Sequence, residues 1–330
     1  MRSHIPGLGS IPAMSFLFLI VIVGISGGSV MASVFDTASP ATAAKNTSAL
    51  DFDGDNKADY TVVRPAGNTF YVNRSSATGS FTGVPFGVTS DVITPGDYDG
   101  DGKADYAVWR PSNGTFYVLR SSDNQFQYMA FGTNGDEPVA RDYDGDGKTD
   151  FAVVRRAGGQ MTWYINNSLG GVFRAQQFGI DSDYTAPGDY DGDGKFDLGV
   201  FRGNGTSPAT FYTLRSTAGF GAQQFGVGSD FVVPGDYDGD GKTDFAVLRP
   251  GTFYNWYILR SSDGSLQSAQ FGANGDYAVQ ADYDGDNRTD IAVWRPTSGG
   301  FFVLRSAAGT PSTFVFGQNG DFPIANYDTH

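Results

Sequence analysis

The chain has 330 residues with 36 acidic and 22 basic side chains, a formal charge of −14, no cysteine and only two histidines, His4 and His330. These figures exclude disulfide staples, a cysteine nucleophile, a Ser-His-Asp triad and a Cys/His zinc site, and no basic stretch points to nucleic acid. The 27 Phe, 17 Tyr and 4 Trp exclude a disordered acidic chain.

Residues 1–32 read as a secretory signal. Arg2 lies in a polar start, residues 16–23 (FLFLIVIV) form an apolar core, and Val30-Met31-Ala32 offers small residues for cleavage. An uncleaved anchor is the alternative, and either would export the rest of the chain to the periplasm, the cell surface or the medium. Residues 33–50, rich in Ser, Ala and Thr, read as a linker. The folded domain is expected over 51–330.

At Asp51 a nine-residue pattern begins, with Asp at positions 1, 3, 5 and 9 and Gly or Asn at position 6, where the chain must turn tightly. Its first copy holds Asp51, Asp53, Asp55 and Asp59, and its second Asp97, Asp99, Asp101 and Asp105. The third holds Asp142, Asp144, Asp146 and Asp150, and the fourth Asp189, Asp191, Asp193 and Asp197. Asp236, Asp238, Asp240 and Asp244 form the fifth, and Asp282, Asp284, Asp286 and Asp290 the sixth. Four carboxylates so close repel one another unless a cation lies among them. All-oxygen donors suit a hard ion, so the expected cofactor is Ca²⁺, about six ions per chain, completed by the position-7 carbonyl and water. These loops hold 24 of the 36 acidic residues, so the net charge reads as metal sites rather than as a surface for basic partners.

The loops are not EF-hands. Position 12, where that motif needs a bidentate Glu, is Val62, Val108, Val153, Val200, Val247 or Val293. Pro-Gly precedes Asp97, Asp189 and Asp236, which is incompatible with an entering helix. After each loop comes a β-branched and aromatic strand (Tyr106 to Arg110), then a second (Thr115 to Arg120), then a third (Gln125 to Phe131) ending in Phe-Gly. A short fourth (Glu137 to Ala140) runs into the next loop. The loops recur at spacings of 46, 45, 47, 47 and 46 residues. Four antiparallel strands at this period predict an all-β protein, a β-propeller of four-stranded blades. Six copies of each strand predict six blades, with the last strand of the chain (321–326) pairing beside the first (60–65) to close the ring.

Phe-Gly, then Pro-Gly-Asp, then Asp-x-Asp-Gly-Asp-Gly-x-x-Asp resembles the FG-GAP repeats of the integrin α-chain head and the bacterial VCBS-type repeats, over residues 51–328. The resemblance implies a propeller with calcium in loops on one face, each joining the innermost strand of a blade to the next strand out. It implies little about activity.

Other series recur with the blades. Arg64, Arg110, Arg155, Arg202, Arg249 and Arg295 invite a basic ligand-binding ring, but strict repetition favours pairing with a neighbouring carboxylate. Asp91, Asp136, Asp183, Asp230, Asp276 and Asp321, before each fourth strand, read as turn-forming residues or as an acidic ring capable of acid–base work. The aromatic pairs such as Phe116-Tyr117 read as packing between blades, with sugar stacking as the alternative. Glu137 (the sole glutamate), Arg141, Arg156, Arg174 and the segment 203–208 break the repeat. The expectation is an exported, monomeric calcium-binding module that recognises a protein or a glycan, without a membrane span once the signal is removed. No catalytic residue is assigned. An exported polysaccharide lyase or hydrolase using the other face is the second reading, and a purely structural surface repeat the third.

Overall fold

The structure, a computed structural model, describes residues 50–77 and 79–325. The segment read as a signal lies outside the described residues, as do the linker (Leu50 excepted) and the tail 326–330. Among the described residues no helix is long and apolar enough to cross a membrane.

Among the described residues twenty-four strands form six four-stranded sheets, antiparallel throughout. Blade 2 runs from the centre outward as Val92–Ile93, Tyr106–Arg110, Thr115–Leu119 and Phe126–Ala130. The remaining blades repeat that order, so the six-bladed propeller expected from the period is the fold. Blade 1 takes its innermost strand from the far end of the chain. Phe322–Pro323 pairs with Tyr60–Arg64 in the register Val62↔Pro323 and Val63↔Phe322.

Burial follows from the stacking of blades. The second strand of each blade is covered on both faces, so its apolar residues run continuously instead of alternating. Val62, Val108, Val200, Val247 and Val293, the position-12 residues where an EF-hand would place Glu, are fully buried. The first members of the aromatic pairs (Phe70, Phe116, Trp163, Phe211, Trp256 and Phe301) are also fully buried, which settles them as core packing. Outermost strands alternate exposed and half-buried residues, as in Phe126–Ala130.

Two boundaries differ from expectation. The innermost strands are two residues long rather than four, though a further ladder bond follows, as from Thr94 N–H to Ala107 O. In blades 2, 4 and 5 the next residue is Pro95, Pro187 or Pro234, which has no N–H to extend the ladder. In blade 3 the second strand runs on to Ala157, because Arg156 stands where blades 1, 2, 5 and 6 carry Pro65, Pro111, Pro250 and Pro296.

Candidate metal centres and the opposite face

Each acidic loop is first a set of backbone bonds. In loop 97–105 the Asp97 carboxylate accepts N–H bonds from Gly100 (2.6 Å), Asp101 (3.2 Å) and Gly102 (2.8 Å). Asp101 accepts from Lys103 N–H at 2.9 Å. Position 6 has positive φ, 84° at Gly102 and 64° at Asn56, which is why glycine or asparagine stands there. The position-9 carboxylate braces the loop: Asp105 accepts from Tyr98 N–H (2.9 Å) and from Ser121 N–H in the next hairpin (2.7 Å). Position 2 packs inward, and the Tyr98 hydroxyl donates to Thr94 O at 2.8 Å.

Burial of the position-9 carboxylates opposes their ionisation. Desolvation pushes Asp59, Asp150, Asp197 and Asp290 up to about 7, and Asp105 and Asp244 up to about 6. The position-1 carboxylates are raised as well, again by burial first. None of the eight ion pairs among the described residues involves a loop aspartate. These clustered carboxylates are closed by no ion pair, although Lys195 and Arg305 lie near enough to favour the charged forms of Asp193 and Asp284.

The donor set fits a hard cation. Asp51, Asp53 and Asp59 bring one oxygen each within 4.8 Å of one another, and so do Asp97, Asp99 and Asp101. The same holds for Asp142, Asp144 and Asp146, for Asp189, Asp191 and Asp197, and for Asp236, Asp238 and Asp244. Oxygens ligating a shared calcium at about 2.4 Å can be no more than about 4.8 Å apart. Position 3 supplies a further sign: Oδ1 of Asp191 and of Asp284 is buried with no hydrogen-bond partner. The N–H bonds to the other carboxylates leave lone pairs for a metal. The aspartates at positions 1, 3, 5 and 9 are the residues that would hold the ion, which would supply charge compensation and cross-linking.

The loops also form a chain of contacts that the sequence did not disclose. The position-8 N–H of each loop donates to the position-1 carbonyl of the preceding blade's loop. The bonds run from Ala104 to Asp51, Thr149 to Asp97, Phe196 to Asp142, Thr243 to Asp189, Thr289 to Asp236 and Ala58 to Asp282, at 2.6–2.7 Å. That sequence returns to its start, so each loop is tied to both neighbours.

On the opposite face, the two recurring series of Arg and Asp prove to be one. Arg64–Asp321, Arg110–Asp91, Arg155–Asp136, Arg202–Asp183, Arg249–Asp230 and Arg295–Asp276 are six bidentate forks, with Nε and Nη2 each on one carboxylate oxygen at 2.7–2.9 Å. Each guanidinium lies 4.4–4.8 Å from the ring of Tyr71, Tyr117, Tyr164, Tyr212, Tyr257 or Phe302. The aspartates also cap their turns, as where Asp91 accepts from Val88 N–H at 2.9 Å. This face therefore carries a structural girdle in place of a free basic ring or a free acidic one.

Comparison with solved structures places this fold among propellers of low sequence similarity. The crystal structure of TolB from Acinetobacter baumannii superposes with a TM-score of 0.57 at 16% identity, covering 80% of this chain and 64% of that one. AofleA from Arthrobotrys oligospora gives a TM-score of 0.50 at 9% identity, covering 86% of this chain and 96% of that one. Both likenesses concern the fold alone, and this chain spans less than two thirds of TolB. The search of curated proteins gave no match. The FG-GAP-like repeat matches residues 51–108, 142–200 and 236–293, each span opening on an acidic loop and ending at position 12 of the next. With just over half its length so matched, the chain belongs to the FG-GAP-like repeat family.

Proposed function

We propose that this chain is an exported, calcium-stabilised propeller that acts as an extracellular binding module for a protein or a glycan. The observation that carries the reading is the recurrence of converging, partly buried aspartate oxygens that no ion pair closes. Each loop offers an all-oxygen site, and the bonds between loops make any ion bound there a brace between blades. The signal-like residues 1–32 support export, and with no cysteine in the chain, metal takes the cross-linking role that disulfides fill in other secreted domains. The binding role rests on the ring of blades and on the half-buried guanidinium groups of its Arg–Asp face. Equilibrium dialysis of purified residues 33–330 against ⁴⁵Ca²⁺ tests the calcium reading, with about six ions per chain expected. Retention of no calcium at millimolar concentration would refute it.

A further inference from the structure

In a repeat protein, residues that leave the pattern and meet in space mark a place where one blade does something the others do not. Glu137 opens the innermost strand of blade 3, where the other blades carry Val92, Tyr184, Phe231, Tyr277 and Phe322. Arg156 stands where four blades have proline. These two departures are bonded, with Arg156 Nη2 donating to Glu137 Oε2 at 2.8 Å. The Thr185 hydroxyl, from blade 4, donates to the other oxygen at 2.6 Å. Arg156 Nη1 holds the carbonyls of Asp181 (2.8 Å) and Asp183 (2.6 Å). The cluster is thus fixed from both blades.

It stands at a cavity. A cleft of about 450 Å³ in the central channel is lined by the polar Asp136, Glu137, Arg141 and Thr185, and by Val92 and Phe322 among apolar neighbours. That volume lies within the range of small-ligand sites, about 300–1,000 Å³. The ion pair itself adds little stability. The Glu137–Arg156 side chains are 38% and 29% exposed, and an ion pair so solvated contributes about 0–1 kcal/mol.

We propose that this end of the channel, at blades 3 and 4, binds a neutral carbohydrate. The proposal rests on the binding-module reading and names its site and ligand class. The Glu137 carboxylate is balanced by Arg156, and that of Asp136, also on the lining, by Arg155, so the cluster itself carries no net charge; Arg141 is the further charged residue of the lining. The Thr185 hydroxyl gives its one proton to Glu137, so the cluster offers acceptor lone pairs on Glu137 and Thr185 beside the Arg156 N–H groups not engaged in these bonds, the pairing that adjacent sugar hydroxyls satisfy, since each both donates and accepts. Phe322 on the lining is 51% exposed, leaving an aromatic ring for the C–H side of a pyranose.

The test uses the calcium-loaded chain, a printed array of neutral glycans, and calorimetry with the best-retained one. The variants are E137V, which installs the residue of blade 2, and R156A. Wild type is expected to retain at least one neutral glycan at one site per chain. Each variant should bind it about tenfold more weakly or worse, with melting temperature and calcium stoichiometry unchanged. A silent array overturns the proposal, and so does equal affinity in wild type and both variants. If calcium stoichiometry holds in those same samples, only the sugar site has failed. If calcium binding is absent as well, the wider reading fails with it.

Discussion

At the scale of single residues, the repeat records its own packing rules. The residue before each acidic loop faces position 8 of the next blade's loop. Where it is Gly96, Gly188 or Gly235, position 8 is Thr149, Thr243 or Thr289, and a Cβ on the glycine would fall 2.5–2.8 Å from that threonine's Oγ1. Where it is Ala281, position 8 is Ala58, and both lie in one apolar cluster. Where it is Arg141, position 8 is Phe196, with the guanidinium 6.0 Å from the ring. Replacing Gly235 with Ala should therefore destabilise the fold by about 1–3 kcal/mol through overpacking. Adding Thr289→Ala should restore most of that loss, because blade 6 already uses the alanine pair. Chemical denaturation of the two single variants and the double variant checks this, and strictly additive losses would contradict it. The size match was present in the sequence but not legible there, since nothing in one copy says which residue of the next it touches. The Arg–Asp forks were hidden for the same reason. Arg110 and Asp91 lie 19 residues apart, and the strand pairing alone brings them together.

At the scale of elements, strands and acidic loops were largely legible, because β-branched runs, Pro-Gly breaks and the four-Asp spacing are local signals. Strand ends were less so. Glu137–Pro138 is shorter than its apolar run, and Phe151–Ala157 longer than its neighbours, because ladder bonds rather than composition decide where pairing stops. The candidate metal residues could be named from spacing alone. What spacing could not show is that a position-9 carboxylate such as Asp105 also ties its loop to the following hairpin at Ser121. Asp191 also reaches its following hairpin, accepting from Ala218 N–H at 2.7 Å, but its Oδ1 has no partner in the protein, and that oxygen makes position 3 the test of ligation. Asp191→Ala should lower calcium stoichiometry by about one ion per chain and leave the remaining loops occupied, as counted by calorimetric titration. An unchanged count would mean that Asp191 is not a ligand.

At the scale of the molecule, the blade count came from bookkeeping of strands, and the ring depends on a two-residue strand, Phe322–Pro323, laid against Val62 and Val63. Deleting residues 320–330 should bare that edge of blade 1, lowering the melting temperature or producing oligomers on size-exclusion chromatography. Behaviour identical to the full-length chain would contradict the closed ring. The asymmetry at Glu137 and Arg156 could be seen in the sequence only as two breaks in a pattern, 19 residues apart, and became a site once the topology joined them. If calcium is part of this fold, as proposed, removing it must cost stability. An ion that binds only the native state stabilises it by about 2.7 kcal/mol at a hundred times its Kd, and several loops act together. Thermal denaturation of one preparation in excess calcium and in excess chelator is the most direct measurement. The melting temperature should be lower by about 10 °C or more in chelator and be restored by adding calcium back; identical melting curves in the two conditions would show that calcium is no part of the fold.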